Sequence, residues 1–174
     1  VLSGKARLLY VSPETLVNPR LLVTLASVKV DCLTIDEAHC ISQWGHDFRP
    51  AYRQLVHLKS QYGVPVLLFS GGEPLVRKDL PELAAYAVQN GMRAVISTNG
   101  TLIDAKVARK IRDSGVQRVS ISFDGADAAT HDTFRGAGAF DRALAGMAHL
   151  RQVGVPYQIN TTVARHNLHQ MHET

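Results

Sequence analysis

Cysteine is scarce in this chain. Its 174 residues hold only Cys32 and Cys40, which excludes the disulfide framework that staples small secreted domains. Free buried thiols are the expectation. Long apolar runs are missing too: stretches such as 64–69 fall far short of the about 20 residues needed to cross a bilayer, so no membrane segment is expected. No basic stretch precedes a long apolar region and a small-residue cleavage site, which argues against export and for a cytoplasmic setting. The first residue is Val and the last three are His172, Glu173 and Thr174, ends that suit a fragment or a processed chain.

A concentration of one charge is also lacking. The formal net charge is +4. Residues 1–65 carry seven Lys/Arg against five Asp/Glu, and residues 66–174 carry twelve against ten. The excess is the same in both parts, so charge singles out no nucleic-acid-binding face. No Ser/Gly linker or low-complexity tract divides the chain.

What is present is a repeated alternation of branched apolar runs and amphipathic segments, the pattern of an α/β fold with a largely parallel sheet. The expected strands are 8–11, 32–35, 64–69, 94–97, 118–123 and 157–163. Ser12-Pro13-Glu14 reads as a helix start, with a helix from Pro13 toward Leu25. A second helix is expected from Pro50 to before Gly63. A third opens at Asp79-Leu80-Pro81-Glu82 and ends at Asn90-Gly91; a fourth runs from Asp104 to Gly115; a fifth spans about 139–152.

Asp36 and Glu37 follow the apolar run 32–35, where one carboxylate could serve Mg²⁺ and the other the attacking water of nucleotide hydrolysis. The segment continues through Trp44, His46, Phe48 and Arg49. With this continuation, residues 5–65 resemble RecQ-type DNA helicases. The resemblance implies ATP and Mg²⁺ at Asp36 and Glu37. It also implies single-stranded DNA as a partner of Trp44, His46, Phe48 and Arg49, whose aromatic rings could stack bases. The competing reading is that Trp44 and Phe48 pack under a loop. The Gly-x-x-x-x-Gly-Lys-Ser/Thr phosphate loop is absent, and Ser70-Gly71-Gly72 stands where that family places Thr-Ala-Thr. Autonomous ATPase or helicase activity is therefore not expected.

Four motifs follow in order: Gly71-Gly72-Glu73-Pro74, Ser97-Thr98-Asn99-Gly100-Thr101, Ser120-Ile121-Ser122-Phe123-Asp124-Gly125 and His131-Asp132-Thr133-Phe134-Arg135-Gly136. A turn of two glycines lets main-chain groups approach a ligand, and Glu73 can bond an ammonium. Through these motifs, residues 64–167 resemble radical SAM enzymes, especially the branch that includes haem d1 biosynthesis. The resemblance implies a partial β/α barrel, with S-adenosylmethionine held by Gly71, Gly72, Glu73 and Pro74 at its amine. Ser122 and Asp124 would lie toward its ribose or carboxylate, and Asn99 and Thr101 would line the mouth. It also implies a [4Fe-4S] cluster. That cluster needs three thiolates, and Cys32 and Cys40 are poor candidates for its ligands. His131, His149, His166, His169 and His172 are expected on a solvated helical face rather than at a metal.

The resulting expectation is a RecA-like N-terminal part over 1–65 and a partial β/α-barrel part over 66–174, packed as one unit. Three functional readings stand. The first is an incomplete radical SAM-like protein that binds S-adenosylmethionine without catalysing alone. The second is a helicase fragment associated with nucleic acid, and the third a chimera with no evolved function.

Overall fold

The computed structural model describes residues 8–10, 18–35, 65–170 and 172. The chain forms helix α1 (Pro19–Ala26), β1 (Leu33–Ile35), β2 (Val66–Phe69), α2 (Leu80–Gln89), β3 (Arg93–Thr98), α3 (Ala105–Asp113), β4 (Arg118–Ser122), α4 (Ala128–Arg135), α5 (Ala139–Gln152) and β5 (Tyr157–Asn160). Short 3₁₀ turns occupy Pro74–Val76 and Leu168–Gln170.

The five strands are parallel and lie side by side in chain order. Parallel neighbours need a crossover, and crossovers of one hand bring successive helices to the same face. That face carries Leu67, Phe69, Ala94, Ile96, Val119 and Ile121, which pack with Leu80, Leu83 and Ala87 of α2, Ile111 of α3, and Met147 and Leu150 of α5. Sequential strands with helices on one side are the beginning of a β/α barrel.

The opposite face is open and mixes apolar with polar side chains. Leu68, Val95 and Ser120 from the strands, with Arg93, Arg118 and Gln158, line a hollow of about 370 Å³.

Local chemistry explains the element ends. Asn18 caps α1 by accepting the N–H of Arg20 at 2.9 Å, ahead of Pro19 in the first turn. Asp104 caps α3 through Val107 at 2.7 Å, and Asp127 caps α4 through Thr130 at 2.8 Å. Gly91, at φ +73°, ends α2.

Several expectations change. No RecA-like part is shown: among the described residues only α1 and the three-residue β1 precede residue 65 as regular elements, and β1 joins the same sheet as the rest. Residues 8–10 are exposed and irregular, because an apolar run becomes a strand only where a neighbour pairs with it. Strand β5 stops at Asn160 rather than Val163. The N–H of Thr162 goes to the Asp124 carboxylate at 2.6 Å, and the Thr161 hydroxyl donates to the carbonyl of Phe123 at 2.8 Å. Helix α4 was not expected; it has no apolar stripe, and only His131 on it is buried. The expected start at Ser12 to Glu14 and the helix from Pro50 lie outside the described residues.

Candidate functional site

The C-terminal ends of β2, β3 and β4 open into a cavity of about 420 Å³. Its wall includes Gly71, Gly72, Asn99, Thr101, Ser122 and Arg135. In a parallel β/α sheet this end of the strands is where loops converge on a ligand.

The loop after β2 turns at Gly71, whose φ of +123° is closed to most side chains. The half-buried Glu73 next to it does not line the cavity. Its carboxylate accepts the Leu75 N–H at 3.0 Å, capping the first 3₁₀ turn, together with the Thr98 hydroxyl at 2.7 Å and the Asn99 N–H at 2.8 Å. Glu73 thus spends three of its roughly four acceptor positions on the protein. It braces the loop after β2 against the end of β3. Pro74 is buried at the start of the 3₁₀ turn.

Beyond β3, Asn99 accepts both the N–H and the hydroxyl of Thr101 through Oδ1, at 2.9 and 2.7 Å. This local turn holds both residues on the wall. Gly100 packs beneath it: a Cβ at Gly146 of α5 would lie 2.5 Å from the Gly100 carbonyl oxygen. Helix and loop can approach so closely only because position 146 has no side chain.

Beyond β4, Ser122 lines the cavity but Asp124 does not. Asp124 is wholly buried, with Oδ2 bonded to Nε of Arg135 and Oδ1 accepting the Thr162 N–H. Its carbonyl accepts from Asn167 Nδ2 at 3.0 Å. A buried carboxylate needs such partners. Arg135, left partly exposed on the wall, is the one cationic side chain described there.

The residues 131–136 divide their tasks. His131 is buried, contrary to the expectation of a solvated face; its ring sits 4.7 Å from that of Phe123 and 5.9 Å from that of Phe140. Burial holds its pKa below the ordinary 6.5, against the opposing pull of Asp124 and Asp132. Asp132 reaches across to α5, where Gly138 has no capping side chain, and accepts the N–H groups of Gly138 and Phe140 at 2.6 and 2.8 Å. Those bonds, the one from Phe140 foremost, hold its carboxyl below the ordinary 3.8. Phe134 stacks on His166 with ring centroids 4.9 Å apart, and the Arg135 guanidinium lies 5.2 Å from the Phe134 centroid.

The structure therefore brings together Gly71, Gly72, Asn99, Thr101 and Ser122, and sets Glu73 and Asp124 behind the wall as braces. Arg135 and His131 were not singled out as site residues by the sequence. Both stand in the 131–136 motif, but their roles follow only from the contacts that tie this helix to Asp124 beyond β4. Asp36, Glu37, Trp44, His46, Phe48, Arg49 and Cys40 lie outside the described residues. Cys32 is exposed rather than buried. No cluster of three or more His, Cys, Asp or Glu fit for a metal occurs among the described residues, and no helix among them is long and apolar enough to cross a membrane.

A family model described as the Radical SAM superfamily matches residues 49–174. Over 134 residues the chain is 47% identical to an AdoMet-dependent heme synthase of Nitratidesulfovibrio vulgaris, a match covering 76% of this chain and 36% of that protein. It is also 52% identical over 62 residues to a probable ATP-dependent DNA helicase, RecS, of Bacillus subtilis, covering 36% of this chain and 12% of the helicase. Together these two stretches exceed the chain, so they share residues. In fold the chain resembles SuiB of Streptococcus suis, in a crystal structure bound to S-adenosylmethionine, with a TM-score of 0.66 and 20% identity over 98% of this chain and 42% of that one. The chain spans about a third of the length of the curated heme synthase.

Proposed function

Because the chain belongs to the radical SAM superfamily, we propose that it binds S-adenosylmethionine in the cavity at the ends of β2, β3 and β4, as an incomplete module that does not cleave it unaided. The observation that carries this reading is the pairing of two unlike walls. On one side a glycine turn leaves main-chain groups open to an ammonium; on the other, Arg135 is held by a buried Asp124. A zwitterionic amino acid moiety matches that separation of roles.

The residues fit the ligand. Gly71 and Gly72 would take the amine, Arg135 and Ser122 the carboxylate, and Asn99 and Thr101 the neighbouring hydroxyls. A cavity of about 420 Å³ is within the usual range for cofactor sites. When bound beside a reduced [4Fe-4S] cluster, S-adenosylmethionine supplies radical chemistry. The cluster is expected of the family but does not fit this chain: two cysteines cannot provide three thiolate ligands. No cleavage step is assigned to these residues. The 47% identity to an AdoMet-dependent heme synthase supports a haem precursor as the substrate class served by this fold.

Calorimetric titration with S-adenosylmethionine tests the reading. Binding is expected, weakened about 10- to 100-fold by Arg135→Ala, the loss expected for one charge-assisted bond, and also weakened by Gly71→Val. No binding, or binding indifferent to both changes, overturns it.

The 52% identity to a helicase over 62 residues supports a second reading: a joined helicase-derived segment that associates with single-stranded DNA through Trp44, His46, Phe48 and Arg49. ATP and Mg²⁺ gain no support, since no phosphate loop accompanies Asp36 and Glu37. A junction with no evolved function is compatible with either kind of residual binding.

A further inference from the structure

We propose that His131 is a positioning residue for the Arg135 wall of the cavity, and that protonation of its ring loosens that wall. The ligand in this inference rests on the cofactor reading above; the linkage between the residues does not.

The chain of contacts begins inside the protein. The main-chain N–H of Asp124 donates to Nδ1 of His131 at 3.0 Å. Nδ1 can accept only when it carries no proton, so this bond requires the neutral ring with its hydrogen on Nε2. Asp124 in turn holds Nε of Arg135 and the N–H of Thr162. One residue thus receives the histidine on its backbone and supports the arginine on its side chain.

Phe123 and Phe140 pack together against one side of the ring, a Cβ at the neighbouring Gly125 would lie 2.7 Å from the His131 main-chain nitrogen, and the residue also borders the cavity. The charged groups acting on the ring are Asp124 from the end of β4, and Asp132 and Arg135 from its own helix. Helix α5 contributes Phe140, and the segment after β5 reaches Asp124 through Thr162 and Asn167, none of which titrates here. Burial outweighs the two carboxylates and favours the neutral ring.

Adding a proton at Nδ1 sets two N–H groups against each other. The Asp124 backbone or the ring must then move, and a shift of Asp124 carries its carboxylate and Arg135 with it. A ligand carboxylate held by Arg135 is consequently bound less tightly at low pH.

The test uses the ¹⁵N-labelled 174-residue chain followed by NMR between pH 5 and 8, with S-adenosylmethionine titrated in parallel. The Asp124 amide and Arg135 Nε signals should move with the same midpoint as the His131 ring. In His131→Asn, whose Oδ1 can accept in place of Nδ1 without titrating, that movement should vanish. Wild-type affinity, divided by that of His131→Asn to cancel the ligand's own ionisation, should fall about tenfold from pH 7.5 to 5.5. At pH 7.5 His131→Asn should bind more tightly than His131→Phe, which has no acceptor. Asp124 and Arg135 signals that ignore the His131 titration overturn the proposal whatever the ligand does, and this arm needs no variant to fold. Signals that follow His131 while no S-adenosylmethionine binds at any pH uphold the linkage and reject the cofactor reading instead.

Discussion

The carboxylate of Glu73 accepts the main-chain N–H of Asn99 at 2.8 Å, across 26 positions of sequence. This one contact joins the glycine turn after β2 to the wall-forming loop after β3, with the Thr98 hydroxyl on the same carboxylate at 2.7 Å.

Glu73→Ala should therefore destabilise the fold by about 1–3 kcal/mol, the cost of stranding partly buried donors. Glu73→Gln should cost less, because one oxygen remains for Leu75 and Thr98 while Asn99 loses its acceptor. Urea midpoints of the two variants check the order, and equal midpoints would refute the bracing role.

Gly146→Ala should destabilise by about 1–3 kcal/mol, as over-packing does, because its Cβ would meet the Gly100 carbonyl at 2.5 Å and Ile103 Cβ at 3.2 Å. Ala at the exposed Leu144 on the same helix serves as the control. Thermal unfolding should separate the two clearly.

Stability should fall with acid in two stages. His131 has a lowered pKa, so the stability tied to its neutral ring is present above about pH 6.5 and is lost as pH falls through its folded value. Asp132, Asp104 and Asp127 are lowered chiefly by the N–H groups of Phe140, Val107 and Thr130. Their contribution is present above about pH 4 and is lost as pH falls further. Urea midpoints measured from pH 8 to 3 should show both steps; His131→Asn should remove the first and leave the second.

Anaerobic reconstitution with iron and sulfide should leave the 174-residue chain without a stoichiometric four-iron cluster, since its cysteines number two. Iron and sulfide analysis of the desalted protein decides this. A four-iron cluster that turns over S-adenosylmethionine would reverse the claim that the module is incomplete.

ATP hydrolysis should be absent, with or without single-stranded DNA. A DNA-stimulated rate abolished by Glu37→Gln would support a helicase function for the segment that holds Glu37. DNA binding that is salt-sensitive and weakened by Trp44→Ala would instead support association alone.

Much of the fold was legible from local signals. Asp104 caps α3 as its position suggested, Asn90-Gly91 ends α2, and the runs that became β2 to β4 lie where branched apolar residues cluster. Helix α4 was not legible, because its single buried side chain is a histidine whose partner is a main-chain N–H seven residues earlier. Glu73 and Asp124 were recognised as important but assigned to the ligand. Their carboxylates carry no mark in the sequence of whether they point into a cavity or into the protein.

The sequence by itself determined the α/β alternation, the glycine turn and the shortage of thiolates, because each follows from residue type and near-neighbour spacing. Only the tertiary structure decided that the strands lie in chain order and that Arg135 forms a wall of the cavity. It also made His131 a buried acceptor and turned Glu73 and Asp124 into braces. These depend on contacts between segments as far as 43 residues apart, such as Asn167 with Asp124. Burial then selects which polar groups must find partners within the protein and which remain free for a ligand.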